Sequence, residues 1–199
     1  MADLVLSLPD DPGLRESLGA LPGVKIVGWN LDGPPPVTHI DIVVPPYWGG
    51  AKRLQRIAEV DTRLVQCQSI GYDGVDRYLP PGVPLANAAT VHEAGTAELA
   101  LALTLAMQRG ITEFVRENDA HVWNLRTFPS LADRRVALIG YGGVGKAIEA
   151  RLSGFETHLT RLASRSRTER NLAGESVPVR GIDELHEVLA EAEIVIIAV

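Results

Sequence analysis

Apolar residues in this chain fall into short runs set off by polar, glycine-rich or proline-rich connections. Five of them, 3–7, 24–29, 40–44, 64–70 and 85–88, are nearly continuous, the signature of strands covered on both faces of a parallel sheet. Between them, 14–21 and 51–60 carry apolar residues at helical spacing, so the first part predicts a small α/β layer fold. The Gly33-Pro34-Pro35-Pro36 tract predicts a rigid surface loop.

The next stretch, 91–108, is apolar on nearly every helical face, which predicts a helix buried all round, in a domain core or a subunit interface. Thr90 with Glu93 fits a capping box, and Thr96 offers a later cap, so the start is open by one turn. A second helical stretch, 111–123, leads through Thr127-Phe128-Pro129-Ser130 to an apolar run at 136–139. That run ends in a glycine turn and a helical pattern from Val144, followed by a second strand at 157–163 and a last apolar run at 193–199.

The turn carries the chemistry. Gly140, Gly142 and Gly145 form G-x-G-x-x-G between a strand and a helix, the order that a dinucleotide site requires. The first glycine permits the tight turn, the second lets backbone approach a pyrophosphate, and the third lets helix and strand pack closely. Unpaired N–H groups of residues such as Gly143 and Val144 at the helix N-terminus complement the phosphate charge. The second strand ends in Ser164-Arg165-Ser166-Arg167, and no acidic residue lies between Glu156 and Glu169. A carboxylate there would bind ribose hydroxyls and repel a 2′-phosphate, whereas guanidinium groups grip one. Ser164, Arg165 and Arg167 therefore favour NADP, with NAD as the alternative; the bland reading is solvated loop charges.

Composition narrows the class without adding a site. The chain has 199 residues, 46% of them hydrophobic, and a net charge of -6, which argues against a nucleic-acid surface. One cysteine, Cys67, excludes an internal disulfide and predicts a reducing cytoplasm. No apolar run approaches the roughly 20 residues needed to cross a bilayer, and no His/Cys/Asp/Glu cluster has metal-ligand spacing.

The segment QSIGYDGVDRYLPPGVPLANAATVHEAGTAELALALTLAMQRG, followed by RRVALIGYGGVGKAIEARL, resembles the D-isomer-specific 2-hydroxyacid dehydrogenases. Its ASRSR segment is similar to the NADPH-using glyoxylate and hydroxypyruvate reductases among them. The resemblance implies a flavodoxin-like substrate domain over 1–90 and an incomplete, doubly wound Rossmann domain over 91–199. It also implies a homodimer through the helix at 91–108. The implied reaction is reduction of a small 2-oxo acid to the D-2-hydroxy acid by hydride transfer in the cleft between domains. Ile70 and Gly71 fall where the family's main-chain amides hold the substrate carboxylate; a simple βα turn is the alternative. Thr96 falls near the nicotinamide ribose, and Tyr47 and Trp48 where a substrate contact occurs.

Hydride transfer to a carbonyl needs a proton donor and a cation that polarises the oxygen. The family supplies them as Arg, Glu and His downstream of the last apolar run. His39, His92, His121, His158 and His186 do not occupy that motif, so no catalytic residue is assigned. The chain is therefore expected to be the N-terminal part of a longer enzyme, inactive alone but able to bind cofactor. The competing class is a non-enzymatic cofactor sensor like the C-terminal-binding corepressors; formate or phosphoglycerate oxidation is the nearest other chemistry.

Overall fold

Each apolar run of the first ninety residues is a strand of one parallel sheet in the computed structural model, which describes residues 4–199. The chain divides into two units, Met1–Val91 and His92–Val199. The first contains β1 (Leu4–Leu8), α1 (Pro12–Leu18), β2 (Val24–Gly28), β3 (His39–Val43), β4 (Asp61–Gln66) and β5 (Leu85–Ala86), in sheet order β2-β1-β3-β4-β5. All the pairings are parallel. This is the flavodoxin-like order expected from the sequence.

Local chemistry explains the boundaries. Asp11 caps α1 by accepting the Leu14 N–H at 3.1 Å, and Pro12 follows it where no N–H is needed. Residues 51–60 form a 3₁₀ helix, Ala51–Glu59, rather than an α-helix; its buried residues, Leu54 and Ile57, are three apart, the 3₁₀ period. Strand β4 stops at Gln66 instead of reaching Ile70 because its partner β5 is only two residues long. Ile40, Val43 and Val65 belong to one buried cluster with Trp29, Leu54 and Ile57, and Leu6, Leu8 and Val44 form a smaller one.

The second unit contains α2 (Glu93–Gln108), α3 (Ile111–Asp119), β6 (Arg135–Ile139), α4 (Gly143–Leu152), β7 (His158–Ala163), β8 (Arg167–Arg170), β9 (Ser176–Gly181), α5 (Leu185–Glu191) and β10 (Ile194–Ile197). The sheet order is β10-β6-β7-β9-β8, parallel except for the β8–β9 pair. Strand β6 has the next strand, β7, on one side and the last, β10, on the other, so the order reverses at its carboxyl end. The β8–β9 hairpin takes the place of a crossover helix between β7 and β9. The sequence reading did not anticipate it, because Arg167–Arg170 is a wholly polar strand without alternation.

Helix α2 corrects an expectation. Ala97, Ala100, Leu101, Thr104 and Leu105 turn inward, four of them against the α4 and β6 core, while Leu99, Leu103 and Met107 are 60–62% exposed. One packed helix covers one stripe, so a helix apolar all round is left with a bare one within this chain. The helix also begins at Glu93 with His92 at its N-cap, and Thr90 precedes it in the left-handed region at φ +74°. The 111–123 stretch ends as a helix at Asp119.

Candidate functional site

The glycine turn occupies the point where β6 hands over to α4. Gly140 has φ +99°, and a Cβ there would lie 2.2 Å from the Ala198 carbonyl oxygen. The crowding arises because residues after β10 run alongside, the Ala198 N–H donating to the Ile139 carbonyl at 2.7 Å. A Cβ on Gly145 would lie 2.2 Å from the Gly140 carbonyl oxygen, so only a hydrogen there lets the helix sit on the turn. A Cβ on Gly142 would meet nothing within 4 Å. Two of the three glycines are thus required by close packing, while the remaining one, Gly142, faces open space.

Gly142 is also the N-cap of α4 and provides no side-chain cap. The N–H groups of Gly143, Val144 and Gly145 consequently lack acceptors among the described residues, while the Val144 side chain packs against the core. Open space, unpaired donors and the positive end of a helix dipole together suit an anion.

Two contacts hold the turn in place. Tyr141 is 2% exposed and its hydroxyl donates to the Glu149 carboxylate on α4. That carboxylate also accepts from Arg161 Nε at 2.9 Å and Nη2 at 2.6 Å, and from Asn171 Nδ2 at 3.1 Å. Burial pushes the Glu149 carboxyl up, but the hydrogen bonds from Arg161, Tyr141 and Asn171 overcome it and hold the group at about 2. Burial and the Glu149 bond push the Tyr141 phenol up to about 12. The second contact is Arg167, whose Nη2 donates to the Tyr141 carbonyl at 2.9 Å.

Arg167 opens β8, directly after the exposed Ser164, Arg165 and Ser166. The structure therefore brings Arg167 to the glycine turn, 26 residues away in sequence. It also brings in a carboxylate, Glu169, two residues further along β8. Glu169 Oε2 accepts from Arg167 Nε at 3.1 Å, and Glu169 Oε1 lies 3.2 Å from Lys146 Nζ on α4. Arg167 is thus neither a free solvated charge nor wholly unopposed.

The Thr96 hydroxyl is engaged by its own helix, donating to the His92 carbonyl at 3.1 Å. The α2 residue at the turn is Glu93, since a Cβ on Gly143 would lie 2.7 Å from Glu93 Oε1. The sequence marked Glu93 only as a capping-box partner of Thr90, and Glu149 and Arg161 only as polar residues inside otherwise apolar elements.

In the first unit the Ile70–Gly71 loop follows β4 at the carboxyl edge of the sheet. Asn87 Nδ2 donates to the Ile70 carbonyl and Ser69 Oγ to the Gly71 carbonyl, both at 2.8 Å, while Gln68 Nε2 ties the loop to Pro45 at 2.8 Å. The Ile70 and Gly71 N–H groups donate to no acceptor among the described residues, and the space over Gly71 is open. Tyr47 and Trp48 lie in the loop after β3, 50% and 81% exposed and stacked edge to face.

His39 lies at the opposite, amino edge of that sheet, held by Asp61 at 2.7 Å and Asp41 at 3.3 Å, contacts that raise its pKa. Cys67 is buried, which pushes its thiol up and away from nucleophilic use. Among the described residues no three His, Cys, Asp or Glu gather as a metal site, and no helix is long and apolar enough to cross a membrane.

Residues 101–199 match the family model described as D-isomer specific 2-hydroxyacid dehydrogenase, NAD binding domain. The chain is 30% identical over 150 residues to a glyoxylate reductase of Pyrococcus furiosus, covering 69% of this chain and 43% of that protein. It is 33% identical over 101 residues to D-3-phosphoglycerate dehydrogenase of Mycobacterium leprae, covering 49% and 19%. The chain therefore spans less than half the length of these relatives. Among solved structures it resembles the NADPH-dependent glyoxylate/hydroxypyruvate reductase of Sinorhizobium meliloti in complex with NADP and sulfate. That match has a TM-score of 0.77 at 19% identity and covers 99% of this chain and 62% of the other. A formate dehydrogenase of Granulicella matches with a TM-score of 0.63 at 23% identity, covering 94% and 53%.

Proposed function

The chain belongs to the D-isomer specific 2-hydroxyacid dehydrogenase family through residues 101–199, and from that premise we propose that it binds an NADP-type dinucleotide at the Gly140–Gly145 turn. The protein it represents then serves an oxidoreductase that converts a small 2-oxo acid of the glyoxylate or hydroxypyruvate type to the D-2-hydroxy acid. The observation that carries this reading is the turn itself, where open space over Gly142 meets the uncapped start of α4 with Arg167 fastened to the Tyr141 carbonyl.

In this reading Gly142, Gly143, Val144 and Gly145 provide the backbone that receives the pyrophosphate. Gly140 and Gly145 allow the packing that keeps that backbone in place. Ser164, Arg165 and Arg167 bind the adenosine 2′-phosphate, with NAD as the weaker ligand, and a planar guanidinium suits this because it pairs with two phosphate oxygens at once. Thr96 serves the nicotinamide ribose by releasing its bond to His92. When bound, the dinucleotide supplies the hydride.

The Ile70 and Gly71 amides take the substrate carboxylate, for which two adjacent unpaired N–H groups are the appropriate donors. No proton donor is assigned, since His39 is occupied by two aspartates at the far edge of its sheet. We place the protein in the cytoplasm, where its one cysteine stays reduced. We also assign the bare stripe of α2 to a homodimer.

Calorimetric titration with NADPH and NADH tests the cofactor assignment; tighter NADPH binding is expected, and no heat with either nucleotide would overturn it. Turnover of glyoxylate or hydroxypyruvate by the whole protein tests the reaction. Cofactor-dependent assembly without any turnover would favour the sensor alternative.

A further inference from the structure

Glu169 has no part in the reading above, yet it touches two cations, Arg167 and Lys146, beside the glycine turn. Its Oε2 accepts from Arg167 Nε at 3.1 Å, its Oε1 lies 3.2 Å from Lys146 Nζ, and the Arg170 N–H donates to it at 3.2 Å. Lys146 stands on α4 one residue past the last fingerprint glycine, and Arg167 also bonds the Tyr141 carbonyl. One carboxylate therefore bridges the phosphate-binding helix and the strand that follows the Ser164-Arg165-Ser166 turn.

From this geometry we infer that Glu169 is a specificity-determining residue that restrains the site's preference for the 2′-phosphorylated dinucleotide. The inference rests on the assignment of Arg167 to the 2′-phosphate. A guanidinium has five N–H donors in a planar fork. Glu169 takes the Nε donor, the Tyr141 carbonyl one on Nη2 and the Arg165 carbonyl one on Nη1 at 3.5 Å, leaving one donor on each terminal nitrogen for an incoming phosphate. The phosphate must then approach a cation already paired with a carboxylate, and it feels that negative charge at close range. A dinucleotide without the 2′-phosphate carries no charge at this point and is indifferent to Glu169. The bridge thus lowers affinity for one cofactor selectively while keeping Arg167 beside the turn.

The test measures dissociation constants of NADPH and NADH for the wild type, Glu169→Gln and Arg167→Met, with thermal melts as a folding control. Glu169→Gln keeps the side-chain volume and a hydrogen-bond acceptor but removes the charge. It is expected to raise the NADPH-to-NADH affinity ratio roughly three- to tenfold, through tighter NADPH binding, and more at low salt than at high. A ratio that stays constant or falls would overturn the inference. Arg167→Met separates this from the assignment beneath it: if the ratio collapses there but ignores Glu169→Gln, only the role of Glu169 fails. If Arg167→Met leaves the ratio untouched, the 2′-phosphate assignment fails and takes this inference with it.

Discussion

The hydroxyl of Tyr141 donates to the carboxylate of Glu149, fastening the residue between the first two fingerprint glycines to the helix that those glycines launch. The turn is therefore held from below by a side chain rather than by its backbone alone. Tyr141→Phe is expected to cost about 1.5 kcal/mol, the range for a hydrogen bond to a charged group, and to weaken NADPH binding. Glu149→Ala removes the partner of the largely buried Arg161 and is expected to cost about 3 kcal/mol. Urea unfolding midpoints read both, and a Tyr141→Phe protein as stable as the wild type would contradict the role given to the hydroxyl.

The same network predicts a pH profile. Glu149 is depressed in the folded state to about 2, so its contribution is complete above the ordinary carboxylate range and is lost as pH falls toward 2. Tyr141 is raised to about 12, so its contribution is complete below the ordinary phenol range and is lost as pH climbs toward 12. The contribution of this network to the unfolding free energy should be flat from about pH 5 to 9 and fall on both sides. Glu149→Gln should flatten the acid limb; an unchanged limb would assign acid sensitivity elsewhere.

Two glycine substitutions should separate packing from binding. Gly145→Ala drives a methyl group to 2.2 Å from the Gly140 carbonyl and should destabilise the fold by at least 2 kcal/mol. Gly142→Ala meets nothing within 4 Å and has φ -95°, so stability should change by less than about 1 kcal/mol. Its methyl group fills the approach to the turn, and NADPH affinity should fall at least tenfold. Melting and calorimetry on the pair check both halves, and normal NADPH binding by Gly142→Ala would move the pyrophosphate away from this turn.

The bare stripe of α2 predicts assembly. Leu99, Leu103 and Met107 lie one turn apart along the helix. Leu103→Lys should turn a dimer into a monomer in analytical ultracentrifugation with little loss of helical signal. A wild-type protein that sediments as a monomer at tens of micromolar would remove the dimer from the proposal.

Much of the fold was legible in the order of residues. Parallel strands buried on both faces produce continuous apolar runs, and a strand, three spaced glycines and a helix can be read in one pass along the chain. The polar elements were not legible. Strand β8 has no apolar alternation to mark it, and the 3₁₀ helix at Ala51–Glu59 differs from an α-helix only in the spacing of two buried residues.

By itself the sequence determined the two layered units, the glycine turn and the run of arginines after the second strand, because each depends on residues adjacent in the chain. Tertiary structure alone decided what those residues touch. It folded Glu169 back onto Lys146 and Arg167 onto the Tyr141 carbonyl, joined Tyr141 to Glu149, Arg161 and Asn171, and covered one stripe of α2 while leaving the other bare. Electrostatic pairing and burial act through distance in space, and separations of 8 to 26 residues along the chain carry no record of it.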